Sequence, residues 1–337
     1  MASVLICDDS PTMRLALRRS LEAEGHSVVA EAASGEEAVQ LAGRVQPEII
    51  TMDVMLPGMD GFMATQAILK GGPARIVIIS AAGEALQTDL SFRALSAGAL
   101  DLLDKPEAGK PGALAEWGKD LGMRLRALAD LPLGSRPAAM PRLGKPKVRH
   151  RELAAFGIVA STGGPPALAA LLKDLRSGLR FPLLVAMHIA PGFTPGLGRW
   201  LSTQTGMKVA VAEGGELAAP GTVWLARDAC DLLWHGDGRL RVSPSSGGVC
   251  PNGDRLLQSL ATGLGPKAGA AVLTGMGRDG AEGLLALKLA GGLTLAQDSE
   301  SCVVDGMPAA AVALGAAEQR LRPEEIGFCI AELGRPN

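Results

Sequence analysis

Short, unbroken apolar runs alternate along the chain with longer stretches in which apolar positions recur every three or four residues. In residues 1–106 the runs are SVLIC, SVVAEA, EIITM, RIVIIS and ALDLL. Between them MRLALRRSLEAEG, GEEAVQLAGRV, FMATQAILKGG and ALQTDLSFRALSAG carry the helical period. Five strand-like runs separated by amphipathic helices predict a doubly wound (βα)5 α/β domain, its parallel sheet covered on both faces. GALAEWGKDLGMRLRALA, at 112–129, reads as a fifth, exposed helix. From 130 to 152 proline, glycine and basic residues erase any apolar period, which predicts a partly extended linker.

A second alternating series begins at LAAFGIVA and continues through FPLLVAM, TVWLA, GAAVLTGM and GGLTLAQ. Helical patterns lie between, notably PALAALLKDLRSG, DRLLQSLATGL and AEGLLALKLAGG. LLWHGDGRLRVS predicts an inserted β-hairpin with a two-residue turn. The expected organisation is a domain over 1–106, a helix and linker over 107–151, and a larger parallel-sheet α/β domain over 152–332. The halves share no motif and are not repeats.

Composition narrows the class. The chain has 337 residues, too many for one typical core, and is 47% apolar and 20% charged, which suits two well-packed domains. A net charge of -2 with no long basic block excludes an electrostatic grip on nucleic acid. No apolar run approaches the ~18 residues of a membrane span, so no membrane insertion is expected. Asp8 and Asp9 interrupt the N-terminus where a signal peptide needs its apolar core. The five cysteines are odd in number and scattered without metal-ligand spacing. A reduced, cytoplasmic protein without structural zinc is expected.

Candidate chemistry gathers at strand ends. Asp8 and Asp9 follow the first strand and Asp53 follows the third. In a doubly wound sheet these ends lie together at the carboxyl edge, where ligands bind. Three carboxylates converging there repel one another unless a hard cation holds them, and Mg²⁺ takes such oxygen ligands. Ser80 ends the fourth strand and Lys105 follows the fifth. A hydroxyl and an ammonium at that edge suit a phosphoryl group carried on Asp53.

In the second half, GIVASTGGPP carries Ser161 from a strand into a glycine turn and a helix start. A serine nucleophile needs a base within reach and a group orienting that base. Of the four histidines, His188 follows the strand-like PLLVAM, while His26, His150 and His235 lie elsewhere. Asp279, in LTGMGRDGAEG, also lies just beyond a strand. If the strands are neighbours the three can meet. A phosphate cradle at Gly163, Gly164 and the helix start is the competing reading, although no P-loop lysine follows. Residue types alone leave both open.

The motifs CDDSPTMR, TMDVMLPGMDGF, IIS and DKP resemble the receiver domain of two-component response regulators, over residues 1–106. That resemblance implies phosphorylation of Asp53 by a sensor histidine kinase, Mg²⁺ held by Asp8, Asp9 and Asp53, and phosphoryl sensing by Ser80 and Lys105. Receivers usually carry an aromatic switch residue three positions before that lysine, and this chain has Leu102.

ASTGGP, MHIAPGFT, LTGMGRDGAEG and AQDSESCVVDGMPAAA resemble the catalytic domain of the protein-glutamate methylesterase of bacterial chemotaxis, over about 153–320. It implies Ser161 as nucleophile, His188 as general base and Asp279 as the orienting carboxylate, with Thr162 beside the nucleophile and the Met276 amide at the oxyanion. Ester hydrolysis then needs no cofactor. The implied substrates are glutamate methyl esters and glutamines on the cytoplasmic helical domains of chemoreceptors, with the unphosphorylated receiver restraining the esterase. The alternatives are a receptor- or kinase-docked adaptor with little turnover, or the same esterase in a chemosensory pathway unrelated to motility. Two segments depart from the family: CPNGD at 250–254, where R-P-S-x-D is usual, and LARDACD at 225–231, where a histidine is usual.

Overall fold

The computed structural model describes residues 1–81, 85–106, 112–130, 151–175, 178–245 and 247–334. The chain divides into two units, Met1–Ala138 and Ala139–Asn337. No described helix is long and apolar enough to cross a membrane.

The first unit runs β1 (Ser3–Cys7), α1 (Pro11–Ala23), β2 (Ser27–Ala32), α2 (Gly35–Val45), β3 (Ile49–Met52), α3 (Gly61–Gly71), β4 (Arg75–Ser80), α4 (Ala85–Ala97), β5 (Asp101–Asp104) and α5 (Ala113–Ala129). Its sheet is parallel in the order β2-β1-β3-β4-β5, the doubly wound arrangement expected from the alternation. β3 and β4 are buried throughout, which is why they read as continuous apolar runs rather than alternating ones. Chain order reverses between β1 and β3, and their carboxyl ends open the crevice there. Helix α1 starts sharply because Ser10 caps the Met13 amide and Pro11 occupies the first turn.

Helix α5 differs from its expected place. The 106 boundary set it outside the first domain, but it lies flush on α1 within the first unit. Gly122 permits the approach, since a Cβ there would stand 2.6 Å from Glu24 Cβ. Buried His26 places Nε2 3.1 Å from the Gly122 carbonyl, and Trp117 Nε1 donates to the Asp104 carbonyl at 2.7 Å. Five residues of its inner face, Leu121 and Leu125 among them, are buried. Residues 131–150, most of the expected linker with His150, lie outside the described residues.

The second unit contains β6 (Ala155–Ala160), α6 (Gly164–Leu172), β7 (Leu183–Met187), α7 (Thr194–Thr205), β8 (Lys208–Val211), β9 (Thr222–Leu225), β10 (Cys230–Trp234), β11 (Leu240–Pro244), α8 (Gly253–Leu264), β12 (Ala268–Val272), α9 (Ala281–Leu289), β13 (Leu293–Gln297), α10 (Gly306–Ala313), β14 (Gln319–Leu321) and α11 (Pro323–Gly334). Seven strands form one parallel sheet in the order β14-β13-β12-β6-β7-β9-β8. β6, β7 and β12 are fully buried. From β6 the chain builds outward to β7 and beyond, then returns to β12 on the other side, so the switch point lies between β6 and β12.

Edge strands β8 and β14 were not anticipated. They have four and three residues and are only partly buried, so neither shows a continuous apolar run. The hairpin is present as β10 and β11, but its turn has three residues between His235 and Arg239 rather than two. The Gly238 amide closes onto the His235 carbonyl at 2.9 Å, and Gly238 takes a left-handed φ of 81°. A tight turn followed by a left-handed glycine is the usual three-residue hairpin geometry.

Candidate functional site

Two strand-edge clusters stand at the two switch points. In the first unit, Asp8, Asp9 and Asp53 bring carboxylate oxygens within 4.8 Å of one another. Lys105 Nζ lies 2.7 Å from Asp8 Oδ2 and 2.6 Å from Asp53 Oδ2. Asp53 is buried and accepts the Met55 amide at 3.2 Å. Burial pushes the Asp53 carboxyl up, and the neighbouring Asp8 charge adds to it, against the opposing pull of Lys105. Burial works against the Lys105 charge, yet its pairs with Asp53 and Asp8 hold the ammonium above its usual range. Ser80 Oγ, at the end of the adjacent strand, is buried with no hydrogen-bond partner among the described residues. Leu102, where an aromatic is usual in receivers, is buried within β5.

A cluster of three carboxylates against one ammonium is short of positive charge. Its donors are all hard oxygens, and a buried hydroxyl beside it waits for a partner. The residues present therefore fit a small divalent cation and a phosphoryl group.

In the second unit Ser161 follows β6 and His188 follows β7, the next strand, in register, with Ala160 opposite Met187. The His188 amide donates to the Ala160 carbonyl at 2.9 Å. Asp279 lies beyond β12, the strand on the other side of β6, and the Ser161 amide donates to the Thr274 carbonyl at 3.0 Å. The central strand thus presents the serine, with the imidazole on one flank and the carboxylate on the other.

His188 Nε2 and Asp279 Oδ2 are 2.8 Å apart. This pairing puts the ring proton on Nε2 and leaves the Nδ1 lone pair for a substrate-side proton, the reverse of the protease template, where the carboxylate takes Nδ1. No hydrogen bond joins Ser161 to His188 in this conformation, so the structure assembles the imidazole–carboxylate pair and places the serine beside it. Catalytic hydrogen bonds are commonly long in the absence of substrate.

Asp279 is held by more than the histidine. Its Oδ2 accepts the Gly253 amide at 2.7 Å and its Oδ1 accepts the Asp254 amide at 3.0 Å, both from the first turn of α8. Burial opposes its charge, but His188, by hydrogen bond and charge, and those two amides outweigh burial and hold the carboxyl below the usual carboxylate range. A helix N-terminus is a natural seat for a carboxylate. Gly253 has no room for a side chain there, since a Cβ would lie 2.3 Å from Val159 Cγ1.

The turn that carries Ser161 is fixed from below. Thr162 is buried, and its carbonyl accepts the Thr274 hydroxyl at 3.0 Å. Thr274 is itself held by Gln297 Oε1, which accepts its amide at 2.8 Å. Gly275 presses against the nucleophile turn so closely that a Cβ would stand 2.6 Å from Ser161 Cβ. Met276, the residue beyond it, is half-buried. The first turn of α10 donates the Gly306 and Met307 amides to the Gly275 carbonyl, at 3.1 and 2.9 Å. Thr274, Gln297 and Gly253 were not singled out from sequence, although all three fall in or beside quoted motifs.

The fold and these two clusters define a class: a receiver-type unit with an acidic strand-edge site, followed by a hydrolase-type α/β unit with a serine, histidine and aspartate at its switch point. Comparison with known proteins agrees. The CheB methylesterase family model matches residues 156–330, and the response regulator receiver domain model matches 4–114. The protein-glutamate methylesterase/protein-glutamine glutaminase 3 of Myxococcus xanthus is 47% identical over 94% of this chain and 89% of its own length. A relative of the same description, numbered 4, in Geobacter metallireducens is 36% identical over 99% of both chains. The crystal structure of the Thermotoga maritima CheB methylesterase catalytic domain is 33% identical, with a TM-score of 0.51, covering 54% of this chain and 99% of that one. The chain belongs to the CheB family of protein-glutamate methylesterases/protein-glutamine glutaminases, with an N-terminal response-regulator receiver domain.

Proposed function

We propose that the protein hydrolyses glutamate methyl esters on the cytoplasmic helical domains of chemoreceptors, and deamidates glutamines there, under control of phosphorylation at Asp53. The observation that carries the reading is the 2.8 Å His188–Asp279 pair beside Ser161 at the switch point of the second sheet.

Ser161 Oγ attacks the ester carbonyl as its proton passes to Nδ1 of His188, the ring position that Asp279 leaves open. The imidazolium that forms faces the Asp279 carboxylate, which is already ionised and held by two amides. Negative charge on the carbonyl oxygen is met by the main-chain N–H groups of Thr162, in the serine turn, and of Met276, in the loop beyond β12. Collapse returns the proton to the departing methoxide and releases methanol. A water molecule then gives its proton to His188 and attacks the acyl-enzyme, freeing glutamate and Ser161. With glutamine the leaving group is ammonia, and the remaining steps are the same.

In the receiver, Asp8, Asp9 and Asp53 would hold Mg²⁺, which when bound offsets the carboxylate repulsion and the charge of the incoming phosphate. Asp53 accepts the phosphoryl group from a sensor histidine kinase. Lys105, paired with Asp53 and Asp8, and the Ser80 hydroxyl, without a partner among the described residues, are the groups positioned to register it.

Methanol release from methylated receptor, measured with wild type and Ser161→Ala, tests the reading. Release abolished by the substitution supports it. Undetectable release by the wild type, with receptor binding intact, overturns it in favour of an adaptor.

A further inference from the structure

We propose that Asp231 is a positioning residue for the His188–Asp279 pair, acting through the first turn of α8. The inference rests on the assignment of that pair to ester hydrolysis.

The two segments that depart from the family pattern meet each other. Asp231 lies in β10, only 1% exposed. Its Oδ1 accepts the Asn252 amide at 2.8 Å, and its Oδ2 takes the guanidinium of Arg255. Asn252 is the capping residue of α8, its side chain accepting the Arg255 amide at 2.8 Å. The next two amides, Gly253 and Asp254, are the ones that hold Asp279. One buried carboxylate therefore grips the residue before, and the side chain just after, the two donors on the catalytic carboxylate.

The rest of the hairpin strand reinforces the grip. The Trp234 amide donates to Ser259 Oγ at 2.9 Å, one helical turn further along α8. Gly263 lets the Trp234 ring close onto the helix, since a Cβ there would stand 2.6 Å from Trp234 Cδ1. Strand β10 is thus a splint along α8, with Asp231 at the end nearest the reaction. Buried ion pairs are poor sources of stability compared with apolar packing, so a buried carboxylate here is better explained by the geometry it enforces.

The mechanism is orientation. Asp279 must point Oδ2 at His188 Nε2 while both its oxygens accept α8 amides, and its aim follows the position of that helix turn. Loss of Asp231 frees the Asn252 amide and Arg255 to seek water, and α8 is no longer pinned at its start. The imidazole then samples orientations that do not serve Ser161.

The test uses the full-length protein and methylated receptor. Asp231→Ala should lower kcat by about 10- to 100-fold, the size of an orientation error, with KM unchanged. Asp231→Asn, which keeps an acceptor for the Asn252 amide, should restore part of the loss and remains usable if the alanine variant does not fold. In the Asp279→Asn background, removing Asp231 should cost nothing further, because both act through one group. The low-field proton resonance of His188 Nε2–H should broaden or move in Asp231→Ala. Full activity in Asp231→Ala, or a loss that repeats undiminished in the Asp279→Asn background, would overturn the inference while leaving the pair intact. Full activity in Asp279→Asn alone would overturn the underlying assignment as well.

Discussion

The crevice of the first unit opens between β1 and β3, and that of the second between β6 and β12, in each case where the strand order reverses. Both place chemistry on the loops after these strands and start a helix just beyond. Yet the key carboxylates end on opposite sides of the usual carboxylate range. For Asp53 burial prevails and the carboxyl is pushed up, although Lys105 pulls it down. For Asp279 burial is also the largest single influence, but His188 and two α8 amides overcome it. The first site is electrostatically incomplete and invites ligands that bring positive charge and bond the Ser80 hydroxyl, which has no partner among the described residues. The second is complete as it stands, its ionised carboxylate already held by His188 and two α8 amides. One architecture thus holds a site built to change state and a site built to hold its state.

Crossing the two sites is the sharpest way to break this comparison. Ser161→Ala should reduce methanol release by on the order of 10⁴-fold or more, yet leave Mg²⁺-dependent phosphorylation by a small phosphodonor intact. Asp53→Ala should do the converse: mass spectrometry should then detect no acyl phosphate, while basal esterase turnover persists. Any phosphate mapped to another aspartate contradicts the assignment of the first site.

Next in size is Asp279→Asn, expected to lower kcat by about 10³- to 10⁴-fold, because the amide no longer selects the tautomer with Nδ1 open. Since the Asp279 carboxyl sits below the usual range, it stays ionised across the working pH. A plot of kcat/KM against pH should therefore show no acid limb that moves with this carboxyl.

Coupling should be smaller. Phosphorylation of Asp53 is expected to raise esterase turnover about tenfold, within the usual range of an allosteric coupling, and below what an aromatic switch residue in place of Leu102 would give. Equal rates of methanol release with and without phosphodonor would show the units to be uncoupled.

The smallest effects are on stability, and their signs are opposite. Asp53, with its folded pKa raised, contributes stability below its unfolded value that is lost as pH rises through the folded one. Near neutrality its ionised form weighs against the first unit, so Asp53→Asn should raise that unfolding midpoint by about 2–4 °C in metal-free buffer. Asp279, with its folded pKa lowered, contributes stability above its unfolded value that is lost as pH falls through the folded one. Asp279→Asn should lower the midpoint of the second unit near neutrality, and the difference should vanish in acid. Calorimetric scans at several pH values measure both; shifts of the same sign would contradict the contrast drawn between the two carboxylates.

Both strand-edge clusters were legible in the sequence because they sit on strong local signals. A buried parallel strand reads as an apolar run, and the residues just after it are marked by the change to polar and glycine types. Asp8, Asp53, Ser80 and Lys105, and likewise Ser161, His188 and Asp279, each stand within a few residues of such a change. The first turn of α8 carries no such mark toward Asp279, from which it is separated by about a sheet strand and a helix in the chain. Gly253 reads as an ordinary helix-start glycine until Val159 is seen against it. Asp231 reads only as an acid in LARDACD, where the family has a histidine, with nothing in the chain to point it at α8. Edge strands β8 and β14 escape notice because, short and only partly buried, neither reads as the apolar run that marks the equally short buried strands β3 and β9.

By itself, then, the sequence determined the doubly wound first half and the parallel-sheet α/β second half, the strand that carries each reactive group and the residue types at each crevice. These follow from period, turn chemistry and side-chain functional groups, all properties of neighbours along the chain. Only the tertiary structure decided which imidazole nitrogen meets Asp279, which amides hold that carboxylate, that α5 packs on α1, and that Asp231 reaches the capping turn of α8. Each of these is a contact between segments far apart in sequence, chosen when helices settle on the sheet and buried polar groups must find partners. No local pattern encodes that choice, because it depends on which surfaces the finished sheet brings together.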